Sequence, residues 1–195
     1  GRASITAAAE RLGFNEDFIF SELSMTRSTF TQAPKESDLN FVWSAVGQYK
    51  DITSPMHMCL ITASIANDGA MMEPKLTQSV LTLQRIEYHK LSPKEYKKLL
   101  STTDAQTIRD MMIQTAQEGT AKSAQVAGHT VGGKTGTAEV SNDKNVKPHS
   151  WFTGFVHDDD YPLAIAIVCE KAGSGSSVST PMAGRILNKA IELID

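Results

Sequence analysis

The feature that most constrains this chain is a change of texture near residue 130. Beyond it, three extended segments follow one another: 130–140, rich in Thr, Val and Gly; 150–157, with Trp151, Phe152, Phe155 and Val156; and the apolar run 163–168. Their connections, the polar loop 141–147 and the turn at Asp158-Asp159-Asp160, are too short for a crossover, so the strands must pair antiparallel. The unbroken apolar character of 163–168 predicts a central strand. After a Gly/Ser loop at 173–177, Thr180-Pro181 opens a helix whose Ala183, Ile186, Leu187, Ala190, Ile191 and Ile194 recur at the 3.6-residue period. The residues therefore predict an α+β fold, an antiparallel sheet with helices packed on it.

Upstream the signals are helical. Residues 3–12 form a short helical pattern with Ser4 near its start and Gly13 placed for a left-handed C-terminal residue. Residues 14–45 lack sustained periodicity and are expected to be irregular and partly extended. Ser54-Pro55 joins an N-cap to a proline at the first helical position; it predicts a buried helix over 56–66, ended by Asn67-Asp68-Gly69. Within 78–88, Leu81 and Leu83 fall out of phase with Ile86 and Tyr88, which reads as one strand with a bulge or bend. Ser92-Pro93-Lys94-Glu95 has the form of a capping box and predicts a helix start. A second start follows at Thr103, giving a helix that presents Ile108, Met111, Met112 and Ala116 before Gly119.

Composition narrows the function classes. The 195 residues are 41% hydrophobic and 21% charged, which fits one globular domain or a large piece of one. With 19 basic against 22 acidic residues, the net charge of −3 gives no footprint for nucleic acid. The longest apolar run, 163–169, falls far short of the ~20 residues a membrane helix needs. Cys59 and Cys169 lie far apart in apolar surroundings and are expected to be buried free thiols, with a single bridge left open. The five histidines show no H-x-x-x-H pair, so no metal is expected and no cofactor is implied. Met56, Met58, Met71, Met72, Met111 and Met112 are read as core filling. The chain opens directly on a helical pattern, as expected of a piece cut from a longer protein.

The stretch with chemical content is Gly132-Gly133-Lys134-Thr135-Gly136-Thr137-Ala138-Glu139. Residues 128–135 satisfy G-x-x-x-x-G-K-[ST], a phosphate-binding loop, but that loop works only where it opens a helix. Here Gly136 and the extended-preferring 137–140 follow, so nucleotide binding is a remote alternative. Inside a strand, the same residues offer an ammonium, two hydroxyls and a side-chain-free position at an edge where a peptide backbone can pair. Lys134 with the hydroxyls suits a terminal carboxylate, and a backbone N–H can face a developing oxyanion.

Lys134-Thr135-Gly136-Thr137, the lead-in Glu118-Gly119-Thr120-Ala121 and Gly132-Gly133, and the following His149-Ser150-Trp151-Phe152-Thr153-Gly154-Phe155 together resemble the transpeptidase domain of penicillin-binding proteins, class B in particular. Ala183-Gly184-Arg185-Ile186-Leu187 resembles that family's last helix. Ala45-Val46-Gly47-Gln48, Thr53-Ser54-Pro55 and Ala66-Asn67-Asp68-Gly69 resemble its preceding buried helix. The resemblance runs in order over nearly the whole chain, 1–195. It departs from the family in one respect: no S-x-N occurs, and the only S-x-x-K, Ser141 to Lys144, follows K-T-G instead of preceding it.

The resemblance implies a serine β-lactamase/D,D-peptidase-like fold, C-terminal portion, with helices on both faces of the sheet. It implies a parent peptidoglycan D,D-transpeptidase that acylates a serine with a stem peptide and is trapped by β-lactam antibiotics, while this portion, lacking the nucleophile, is expected to be inactive alone. By carry-over, Lys134 supplies positive potential, Thr135 and Thr137 bind the substrate carboxylate beside Gly136, and the Thr137 N–H is one oxyanion donor. A β-lactam-sensing or non-catalytic binding domain of the same fold is the alternative. The implied setting is the extracytoplasmic face of the bacterial cell membrane, among the cell-wall synthesis machinery, with the anchor outside this chain. Open sheet edges would invite a dimer.

Overall fold

The computed structural model describes residues 1–31 and 37–194. In chain order these form α1 (Arg2–Arg11), α2 (Asp38–Ala45), α3 (Pro55–Ala66), β1 (Ala70–Met72), β2 (Ser79–Leu81), β3 (Glu87–Lys90), β4 (Glu95–Lys98), α4 (Thr102–Glu118), β5 (Val131–Ala138), β6 (His149–Val156), β7 (Ala164–Cys169) and α5 (Ser179–Ile194), with a 3-10 turn at Lys122–Ala124 before β5. The main sheet is antiparallel in the order β5-β6-β7.

Strand alternation sends the two sides of β6 into two cores. Phe152 and Val156 join Val131, Ala183, Leu187 and Ile191 beneath α5. Phe155 joins Ile61, Ile65, Met71 and Met112 beneath α3 and α4. The helices thus lie on both faces. The buried stripe of α5 is Ala183, Leu187 and Ile191, spaced four apart, and each large side chain so covered contributes roughly 1.5–3 kcal/mol. The 132–133 glycines have a steric purpose. A Cβ on Gly132 would stand 2.7 Å from ring atoms of Phe155, and one on Gly133 would stand 2.6 Å from the ring of Phe152, so the tips of both β6 aromatics fill the space that a side chain would need.

Where helix signals were strongest, the structure follows them. The Ser54 side chain accepts from the His57 N–H above Pro55. The helix expected to start at Thr103 starts at Thr102, and its cap is Ser101, which accepts from the Asp104 N–H. Several expectations are corrected. The aperiodic stretch 14–45 contains α2, capped by Ser37, although 32–36 lies outside the described residues. The apparent bulged strand at 78–88 is the hairpin β2–β3, its phase slip marking the turn, where Thr82 N–H donates to the Ile86 carbonyl. The capping-box pattern at 92–95 opens no helix. There Lys94 pairs with Glu73 at 3.2 Å, and the segment joins β1 as a strand, because sheet pairing and an ion pair outweigh a local signature. The run 163–168 is an edge of the sheet among the described residues, with β6 central; helices on both faces, rather than strands on both sides, account for its apolar character. Finally, Met111, Ile186 and Ile194 are exposed, as is Met72. Cys59 and Cys169 are free, as expected, but only half-buried.

Candidate active site

Residues 134–137 are extended, within β5, at an edge of the sheet among the described residues. The register pairs Lys134 with Thr153 and Gly136 with Trp151. In an antiparallel ladder, alternate residues turn both N–H and C=O toward the partner, and the residues between turn both away. Two contacts show which are turned away. The Lys134 Nζ donates to the Thr135 carbonyl at 2.7 Å, and the Gln48 Nε2 donates to the Thr137 carbonyl at 2.9 Å. Residues 135 and 137 therefore face the open edge, and the Thr137 N–H stands there with its carbonyl.

The side chains divide between faces. Lys134 is exposed and shares its face with α3, above Thr153, whose hydroxyl meets that of Thr62 on α3. Thr62 also donates to the Met58 carbonyl at 2.7 Å, giving the lysine a neutral, hydrogen-bonded floor. Gly136 lies on that same face, where a Cβ would come within 3.0 Å of the Trp151 Cβ. Thr135 and Thr137 lie on the α5 face. The Thr135 hydroxyl is 3.0 Å from that of Thr120, in the turn after α4. The Thr137 hydroxyl accepts from the Gly175 N–H at 3.2 Å, which leaves its own proton to donate.

The loop carrying Gly175 is built into the start of α5. Ser150 of β6 accepts from the Ser179 N–H at 3.1 Å and donates to the Ser174 carbonyl at 2.9 Å, so a strand hydroxyl caps the helix. Thr180, expected as the cap, lies inside the helix and donates to the Gly175 carbonyl at 2.7 Å. All four residues singled out from the sequence, Lys134, Thr135, Gly136 and Thr137, are thus brought together. Sequence reasoning missed Gln48, Thr120 and Gly175 as their neighbours. Gly47-Gln48 and Glu118-Gly119-Thr120 stand among the motifs, but nothing in their spacing says that they reach the same strand.

The segment 128–135 runs into extended backbone and opens no helix, so it lacks the geometry of a phosphate loop. Ser141 of the stray S-x-x-K lies in the exposed loop after β5, accepting from the Asp143 N–H at 3.0 Å. It stands on no helix. Among the described residues no helix is long and apolar enough to cross a membrane.

Comparison with known proteins bears on the family and the fold. The chain is 30% identical over 145 residues to the peptidoglycan D,D-transpeptidase PbpA of Mycolicibacterium smegmatis, covering 71% of this chain and 29% of that protein. It superposes with a TM-score of 0.84 and 30% identity on the D,D-transpeptidase domain of a peptidoglycan glycosyltransferase from Eggerthella lenta, covering 99% of this chain and 48% of that one. Penicillin-binding protein A from M. tuberculosis, solved as an imipenem acyl-enzyme complex, shares the fold at a TM-score of 0.80 and 22% identity, over 95% of this chain and 41% of that one. The chain therefore spans less than half the length of these relatives. Residues 1–188 match the family described as the penicillin binding protein transpeptidase domain, and the chain belongs to that family.

Proposed function

We propose that this chain is the K-T-G-bearing portion of a peptidoglycan D,D-transpeptidase. It supplies one wall of an acyl-transfer site whose serine lies outside S-x-x-K 141–144. The observation that carries this reading is the open edge of β5, where the Thr137 N–H faces outward with Lys134 on one face of the strand and the Thr135 and Thr137 hydroxyls on the other. A peptide ending in a carboxylate would lie along that edge. Lys134 attracts the carboxylate, and the hydroxyls of Thr135 and Thr137 donate to it. Gly136 keeps the backbone approachable, and the Thr137 N–H bonds the oxygen that becomes negative in the tetrahedral intermediate. The serine oxygen attacks the penultimate D-Ala carbonyl and the terminal D-Ala leaves as the amine. A second stem peptide's amine then displaces the serine, forming the cross-link. A β-lactam would acylate the same serine, and the work would take place outside the cytoplasmic membrane beside the wall-building machinery.

Incubation with a fluorescent penicillin tests the reading. The isolated chain should stay unlabelled, and a longer protein that adds S-x-x-K and S-x-N to it should label. In that longer protein Lys134→Ala should slow acylation on the order of 10²-fold. Equal labelling of the Lys134→Ala protein, or a stable adduct on the isolated chain, would overturn it.

A further inference from the structure

The open edge of β5 is not bare. Both carbonyls that face outward from K-T-G-T already accept a side-chain donor: Thr135 from Lys134 at 2.7 Å, and Thr137 from Gln48 at 2.9 Å. The lysine reaches from the adjacent residue. Gln48 arrives from 89 positions earlier in the chain, on the corner that follows α2.

That corner is rigidly made. Gly47 has φ +78° and Tyr49 has φ +71°, so left-handed backbone flanks Gln48 on both sides, and at Tyr49 this conformation is costly for a bulky residue. The Gln48 N–H donates to the Trp43 carbonyl at 3.0 Å, which ties the residue to the end of α2. On the far side, Asp51 accepts from the buried Ser44 hydroxyl at 2.7 and 2.8 Å and from the Thr31 N–H at 2.8 Å. Strained backbone held by so many bonds places the carboxamide at one spot, and that spot is the acceptor an added strand needs first.

We infer that Gln48 is a displaceable latch on the substrate edge, its carboxamide competing with the backbone N–H of an incoming peptide for the Thr137 carbonyl. This rests on the reading of β5 as the substrate-binding edge and deepens it. The donor nitrogen stands on the outward side of Thr137, where the N–H of an added strand would have to stand. A peptide that pairs with the edge must release Gln48. A ligand that offers no N–H at that position leaves the latch closed and loses nothing to it, so Gln48 weakens only the ligands that pair with the edge. The same latch keeps an empty, K-T-G-bearing edge from pairing with other chains.

Amide-resolved NMR titration of the chain with N-acetyl-D-alanyl-D-alanine, alongside Gln48→Met, tests this. Methionine matches glutamine in length but cannot donate, and Gln48 is only half-buried, so the rest of the spectrum should be unchanged. The peptide should shift the Thr137 amide in both proteins and bind Gln48→Met about three- to tenfold tighter, the worth of one neutral hydrogen bond. In the unsubstituted chain the Gln48 side-chain amide resonances should move as peptide is added. Shifts at Thr137 with equal or weaker binding to Gln48→Met would overturn the latch and leave the substrate edge standing. If the peptide moves no resonance in 134–138 of either protein, the substrate edge falls and the latch falls with it.

Discussion

The Gly175 N–H donates to the Thr137 hydroxyl at 3.2 Å, so the last residue of K-T-G-T is oriented from the loop that opens the closing helix. Gly175 lies over the β5–β6 ladder. A Cβ there would fall 2.6 Å from the Trp151 carbonyl oxygen and closer still to that of Gly136. Gly175→Ala must therefore lift the loop from the strand. Urea unfolding should show a loss of about 1–3 kcal/mol, the usual cost of overpacking. The Thr137 amide should shift in the NMR spectrum, and an unshifted amide would show that the loop does not orient it.

Glycines of β5 should differ in their tolerance. Gly132→Ala drives a methyl into the Phe155 ring, which is fully buried and has nowhere to go. Gly136→Ala meets only the Trp151 Cβ, at 3.0 Å, near the open end of the strand. Thermal or urea unfolding should find Gly132→Ala the worse by roughly 1 kcal/mol or more. The reverse order would mean that the aromatic floor is softer than it looks.

Stability should fall in two stages on acidification. The His57 ring is buried, with Nε2 donating to the Leu12 carbonyl at 2.9 Å and Nδ1 accepting from Ser28 at 2.7 Å, and burial holds its pKa below the ordinary 6.5. The folded state therefore binds fewer protons than the unfolded chain. The stability so contributed is complete above pH 6.5 and drains away as pH falls from there through the lower folded value. Glu73 is held down to about 2 from 4.5 by the Ser21 N–H and by Lys94, and its contribution is lost between those values. Denaturation midpoints measured from pH 8 to pH 3 check this. His57→Gln should flatten the upper stage, and Glu73→Gln the lower.

The second edge of the sheet is less protected than the first. Ladder alternation pairs Ile165 and Ile167 with β6 and turns the N–H and C=O of Ala166 outward. At high concentration the chain should self-associate through this edge, read by sedimentation or solution scattering. Ala166→Pro removes an outward donor without breaking an inward bond and should shift the chain toward monomer. Association unchanged by that substitution would place the contact elsewhere.

Much of the fold was legible because its signals are local and reinforce one another. Ser54-Pro55 satisfies an N–H group three residues away, and the strands 131–138 and 149–156 announce themselves by composition and by the shortness of the loop between them. Errors arose where a local signature competed with a distant partner. Ser92-Pro93-Lys94-Glu95 could have begun a helix, but Glu73 and β1 were waiting for it as a strand. The apolar run at 163–168 told of burial without telling whether strands or helices supplied it. At the site, Lys134, Thr135, Gly136 and Thr137 could be named because they are consecutive. Gln48, Thr120 and Gly175 could not, since each meets β5 across 15 to 89 residues of chain.

The order of amino acids alone determined that residues 131–138 would be extended, which chemical groups that strand would carry, and which family it resembles; the β preference of threonine and valine acts between neighbours. Which of those groups face an open edge, and which side chains already hold them, was decided only by the folded chain. A hydrogen bond between Gln48 and Thr137 depends on two corners of the backbone arriving at one point, and no pattern of nearby residues encodes that meeting.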